Sequence, residues 1–122
     1  MIPARYGRVI NIGSVTSVFG YAGLGPYCAS RGGTRQLTMS LADDRGPYGI
    51  TVNCLAPGLT MSEKIRESTQ FAGNKELNIA TRAIKREELP EDLLGAMLYL
   101  CSPDSDFVTG QTLVVDGGAA MH

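Results

Sequence analysis

Tryptophan is absent and histidine occurs once, as His122 at the last position. A single terminal histidine has no partner for metal ligation or a proton relay, so it reads as a solvent-exposed end. Cys28, Cys54 and Cys101 are odd in number and widely spaced, without the short paired intervals of a zinc site or an oxidised framework. They are expected to be reduced, small core residues, and no metal site is expected. Cys28 adjoins Tyr27, but neither Tyr27 nor Ala29 supplies the charge that would stabilise a thiolate, which argues against a redox role. No apolar run approaches the roughly 20 residues of a membrane-spanning helix. No charged-then-apolar leader is read at the start, and a cytoplasmic location is expected. The 11 Lys and Arg are dispersed against 12 Asp and Glu, for a net charge of -1. A chain of that balance has no basic stripe for nucleic acid or an anionic membrane. Internal repeats, low-complexity tracts and linkers are also missing.

What is present is a regular alternation of short apolar runs and longer helical patterns. Val9, Ile10 and Ile12 are apolar and β-branched in a short run bounded by Gly7 and Gly13, the pattern of a central parallel strand buried on both faces. Pro26 suits a first helical position and Arg45-Gly46-Pro47 supplies a stop, so a helix is predicted over 26–45. Tyr27 and Arg31 then share one face of it. Ala29, Gly32 and Gly33 would let a neighbouring backbone approach closely. Residues 50–55 form a second strand, broken by Ala56-Pro57-Gly58. Pro90-Glu91-Asp92 opens a further helix with acids at its positive end. Leu93, Leu94, Ala96, Met97, Leu98, Leu100 and Cys101 make that helix apolar nearly all round, which predicts burial. Ser102-Pro103 ends it, residues 104–110 turn, and residues 112–115 form the last strand. Strands joined by connections this long pair in parallel through right-handed crossovers. Residues 62–88 differ: they hold nearly half of the charged side chains, with Ile65, Phe71, Leu77 and Ile79 scattered among them. One or two loosely amphipathic helices are expected there, and the pattern by itself reads as an ordinary solvated excursion.

The residues with most chemical content are Ser14, at the end of the first strand, and Tyr27 and Arg31 at the start of the first helix. A hydroxyl donor, a phenol and a cation one turn further on can converge on one carbonyl oxygen and move a proton. Gly7-Arg8-Val9-Ile10-Asn11-Ile12-Gly13-Ser14, Tyr27-Cys28-Ala29-Ser30-Arg31, Gly49-Ile50-Thr51-Val52-Asn53-Cys54-Leu55-Ala56-Pro57-Gly58 and Thr109-Gly110-Gln111-Thr112-Leu113-Val114-Val115-Asp116-Gly117-Gly118 occur in this order. Together they resemble the short-chain dehydrogenase/reductase family, including members similar to 3-oxoacyl-ACP reductases. The family's active site reads Ser, twelve residues, Tyr, three residues, Lys, and Arg31 stands here in place of the lysine.

The resemblance implies an α/β chain forming the C-terminal half of a doubly wound parallel-sheet (Rossmann) fold, with three parallel strands and flanking helices, residues 1–122 being one partial domain. The family's glycine-rich phosphate loop and its ribose-selecting residue would precede this region, and Met1 resembles an internal methionine of a longer parent. By the same resemblance the catalytic residues are Ser14, Tyr27 and Arg31, and the cofactor, NAD or NADP, would be held by Tyr27, Arg31, Pro57, Gly58, Leu59, Thr60 and Ser62. The substrate would be a small ketone, secondary alcohol or oxoacyl thioester, and residues 62–88 would close over it. The family lysine favours the phenolate form of the tyrosine, binds the nicotinamide ribose and passes protons on. Arginine keeps the charge and the ribose contacts but cannot serve as a proton relay. Read without the resemblance, Ser14 caps a turn, Tyr27 is an amphipathic helix-start residue and residues 57–62 are a loop. The alternative reading is therefore a truncated, non-catalytic remnant or an oligomerisation module. Such a module would form a homo-oligomer or join a complementary subunit through surfaces near Gly117, Gly118 and the Tyr27 helix.

Overall fold

A computed structural model of the chain describes residues 1–68 and 75–122. Three strands, β1 (Gly7–Ile12), β2 (Ile50–Pro57) and β3 (Thr112–Val115), form one parallel sheet in the order β1-β2-β3. Val9 pairs with Val52 and Ile12 with Leu55, while Leu55 also pairs with Leu113. β2 is thus the central strand, and its residues from Ile50 to Ala56 are all buried. It runs on through Ala56-Pro57, where a break was expected. Ala56 and Pro57 pair in register with Val114 and Val115, and Gly58 still donates its N–H to the Val115 carbonyl at 3.1 Å. Asn53, fully enclosed, fastens the other end of β3: its amide donates to the Val108 carbonyl at 2.8 Å and accepts from the Gln111 N–H at 3.0 Å.

The helix α1 (Gly25–Arg45) starts with Pro26 in its first turn, as its sequence requires. It lies on β2 through Leu41 and Ala42, which meet Val9, Ile50 and Val52 in the apolar core. Thr38, fully buried, donates to the Thr34 carbonyl at 2.9 Å and accepts from the Asn11 amide at 2.9 Å, pinning α1 to β1 as well. The close approach expected at Gly32 and Gly33 does not occur: a Cβ at either would meet nothing within 4 Å. These glycines weaken the helix without a packing return from the described residues.

Between β2 and the last crossover lie two short helices, α2 (Glu63–Glu67) and α3 (Lys75–Thr81), in line with the amphipathic pattern. Phe71 falls outside the described residues. The apolar helix begins as a 3-10 turn, Pro90–Leu93, and continues as α4 (Leu94–Cys101). Its acids act as expected, since Asp92 accepts from the Leu89 N–H at 2.8 Å and grips Arg86 with both oxygens. Its expected burial is not observed. Leu100 is enclosed, but Leu98 is 68% exposed and Leu94 57%. A helix this short lies on the sheet by one stripe only, and nothing else among the described residues covers its other sides. The cysteines divide likewise: Cys54 is buried, Cys28 half-buried and Cys101 exposed, and all three are free thiols. No described helix is long and apolar enough to cross a membrane.

Candidate active site

The carboxyl ends of parallel strands leave backbone and side chains facing a common crevice, the usual ligand position in open α/β sheets. At the end of β1, Gly13 donates its N–H to the Leu55 carbonyl at 2.8 Å. A Cβ there would lie 2.6 Å from the Cys54 sulfur, so only glycine lets the chain leave the sheet this close to β2. Ser14 follows in extended backbone and caps a 3-10 turn, Val15–Ser17. Its buried Oγ accepts from the Thr16 N–H at 3.2 Å and from the Thr16 hydroxyl at 3.0 Å. A serine hydroxyl has two acceptor sites and one donor. Thr16 fills both acceptor sites, leaving the Ser14 O–H as an uncommitted donor.

In the first turn of α1, Tyr27 is 41% exposed. The Arg31 guanidinium carbon stands 4.9 Å from the centre of the Tyr27 ring, within cation–π range. Arg31 Nη1 donates to the Ile12 carbonyl at 3.2 Å, while Nε is buried with no hydrogen-bond partner. The cation is therefore held between the phenol and the strand end that carries Ser14. No hydrogen bond joins Ser14 directly to Tyr27.

The second cluster is the turn after β2. Gly58 sits so close to its neighbours that a Cβ would meet Glu88 Oε2 at 2.7 Å and the Asp116 Cβ at 2.9 Å. The Thr60 hydroxyl donates to Glu88 Oε1 at 2.7 Å, the Leu59 carbonyl accepts from Arg82 Nη2 at 2.8 Å, and the Ser62 N–H donates to the Thr60 carbonyl at 2.9 Å. Arg31 thus joins Tyr27 to the Ile12 carbonyl, two residues before Ser14, while residues 57–62 follow the neighbouring strand β2 and are held by Arg82 and Glu88. Replacing Gly58 by alanine is expected to lower stability by about 1–3 kcal/mol through overpacking, read as a lower urea midpoint with an unchanged slope.

Residues 1–120 match the family model described as enoyl-(acyl carrier protein) reductase. The chain belongs to the short-chain dehydrogenase/reductase family. It is 40% identical over 124 residues to the 3-oxoacyl-[acyl-carrier-protein] reductase FabG of Rickettsia prowazekii (strain Madrid E), covering 99% of this chain and 49% of that protein. It is 35% identical over 116 residues to dehydrogenase/reductase SDR family member 4 of Bos taurus, covering 95% of this chain and 42% of that one. Among solved structures it is similar to a gluconate 5-dehydrogenase from Burkholderia cenocepacia J2315 in complex with NADP and tartrate. The TM-score is 0.87 at 36% identity, over 97% of this chain and 46% of that one. The chain spans about half the length of the curated relatives it matches. Its open three-stranded parallel sheet is part of the Rossmann fold of these dehydrogenases.

This family member also carries site-adjacent residues that its sequence pattern concealed. Arg82 and Glu88 are both buried, although they stand in the most charged stretch of the chain. Burial pushes the Glu88 carboxyl above the usual range; the Thr60 hydroxyl and Arg82 oppose this, and Asp116 adds to it. The Asp116 carboxylate accepts from the N–H groups of Gly118, Ala119 and Ala120 at 2.8, 3.2 and 2.7 Å, closing the turn after β3. Its place before Gly117-Gly118 was the one available signal. By contrast, half-buried Glu87 is held below the ordinary carboxylate range by Lys75 and Arg66, which reach it from α3 and α2. Burial raises the Cys54 thiol and keeps it out of thiolate chemistry.

Proposed function

We propose that this chain is the C-terminal, catalytic half of an NAD(P)-dependent oxidoreductase acting on a ketone, a secondary alcohol or an oxoacyl thioester. The observation that carries the reading is the position of Arg31, with its charge against the Tyr27 ring and its fork on the Ile12 carbonyl, two residues from Ser14. Solvated helix-face arginines do not need such an anchorage. The donor set fits a nicotinamide nucleotide and a carbonyl substrate. A Ser14 hydroxyl with its proton uncommitted and a half-exposed Tyr27 phenol would supply donors for a carbonyl oxygen, and the Arg31 guanidinium would supply the positive charge beside them. Arg31 and the 57–62 turn would hold the cofactor, Ser62 and the backbone of Leu59 and Thr60 among them. NADP has support from the bound nucleotide of the gluconate 5-dehydrogenase relative.

When bound, the nicotinamide supplies or removes the hydride. The chain's own residues handle the oxygen. Ser14 donates a hydrogen bond to the carbonyl oxygen as negative charge grows on it. Tyr27 gives its phenolic proton to that oxygen, leaving an alcohol. Arg31 stabilises the negative charge left on Tyr27, but does not reprotonate it, because guanidinium keeps its proton. Water at the half-exposed phenol must do so.

A hydride-transfer assay tests this reading, using the chain joined to a cofactor-binding half and following NADPH or NADH consumption with oxoacyl thioesters and simple ketones. Turnover that disappears in Tyr27→Phe is the expected result. The 122 residues alone contain no glycine-rich phosphate loop, and by themselves should bind neither nucleotide at micromolar concentration. Tight binding by the isolated chain, or turnover indifferent to Tyr27→Phe, would count against the proposal.

The exposed Leu94 and Leu98 of α4 favour a second reading alongside it. In that reading the chain is one side of a homo-oligomer or of a pair with a complementary subunit, and the surfaces, not the crevice, are what it contributes.

A further inference from the structure

Buried ion pairs are costly to desolvate and give little net stability over an apolar replacement, so one that persists calls for an explanation in geometry. Arg82 is 3% exposed and Glu88 5%. The Arg82 fork reaches two backbone carbonyls on different segments, Leu59 through Nη2 at 2.8 Å and Arg86 through Nη1 at 3.0 Å. Nη2 also stands 3.5 Å from Glu88 Oε2. Glu88 in turn accepts from the Thr60 hydroxyl at 2.7 Å and, through its main-chain carbonyl, from the Met61 N–H at 2.8 Å. Gly58 is the cradle in which Glu88 Oε2 rests. The two charged side chains therefore hold Leu59 and Thr60 directly, with Gly58 packed against Glu88 and Met61 tied to its main chain, all from the single stretch of residues 82–88.

We propose that Arg82 and Glu88 are a positioning pair that fixes the Gly58–Leu59–Thr60–Met61 turn in the shape presented to the nicotinamide nucleotide. The proposal rests on the reading of that turn as facing the cofactor. A planar fork is the group that can hold two carbonyls at a set angle, which a lysine ammonium cannot do. With its hydroxyl engaged by Glu88, Thr60 offers the cofactor its backbone and not its side chain. Leu59 and Thr60 would then recognise the nucleotide through main-chain groups whose placement depends on a pair that never touches it.

The test compares wild type with Arg82→Lys, Arg82→Met and Glu88→Gln in the chain joined to its cofactor-binding half. Hydrogen–deuterium exchange by mass spectrometry is read on peptides from residues 57–62 and, as internal reference, from residues 50–56. Steady-state kinetics give KM for NADPH and for the carbonyl substrate separately. Both Arg82 variants should speed exchange in 57–62 by roughly tenfold over the reference. They should raise KM for NADPH while leaving KM for the carbonyl substrate near its wild-type value, with Arg82→Lys failing to rescue. Glu88→Gln, which keeps an acceptor for Thr60, should fall between. Equal acceleration of both peptides would mean a purely structural role and overturn the proposal. So would unchanged exchange, and so would faster exchange in 57–62 with an unchanged KM for NADPH. A wild-type protein without any NADPH-dependent turnover would sink the proposed function instead, and the exchange comparison would still decide whether the pair holds the turn.

Discussion

Purified without any other polypeptide, the 122-residue chain is expected to elute as dimers or larger species, with no monomer peak that survives concentration. β1 is an edge of the described sheet, and its outer rim has no strand partner among the described residues. A strand edge of this length, unprotected by proline or a bulge, is a template for pairing. Its side chains add to the drive, because Ile12 is 49% exposed and an open apolar hollow of about 460 Å³ beside the strand is lined by Met1, Ile2, Val9, Leu41 and Val52. Leu94 and Leu98 on α4 supply a second bare patch. Soluble monomers rarely leave such areas open. Size-exclusion chromatography with light scattering over a concentration series measures the effect, and Ile12→Lys on the exposed end of the edge strand should shift the population toward monomer. A compact monomer at high concentration for the unmodified chain would contradict the expectation.

In the chain joined to a cofactor-binding half, Arg31→Lys is expected to raise kcat at neutral pH on the order of a hundredfold, the low end of what a positioned acid–base group contributes, with little change in the carbonyl KM. Arginine already supplies charge at the Tyr27 ring and a hydrogen bond to the Ile12 carbonyl, so ground-state binding should change little. What it lacks is an exchangeable proton, which belongs to the chemical step and therefore to kcat. The comparison should cover a range of pH, because a lysine relay would add a proton-transfer route that arginine cannot provide. Equal kcat values, with chemistry shown to limit the rate, would mean that water at the exposed phenol suffices.

The strands and the long helix were legible because each carries a local signal: β-branched runs between glycines for β1 and β2, and Pro26 and Gly46-Pro47 around α1. The Tyr27–Arg31 contact was legible too, since four residues along a helix is one turn. Burial was less so. The apolar composition of α4 predicts an enclosed helix, yet composition reports what a helix can bury and not how much covering surface the chain supplies. Arg82 and Glu88 were invisible for the opposite reason. Among the charges of residues 62–88 nothing local marks the two that turn inward, because their burial is decided by Gly58 and Asp116, residues distant in the chain. The free space around Gly32 and Gly33 is a similar case, where small side chains permit an approach that no described element makes.

The Cys54 sulfur against Gly13 makes the sheet its own timekeeper. Cys101 is open to any thiol reagent, whereas Cys54 is sealed between β1 and β3 at the point where the chain departs toward Ser14. A reagent that marks Cys54 can do so only after the strands have parted there. The interval between the first and the last thiol to react therefore clocks how often the floor beneath Ser14 opens.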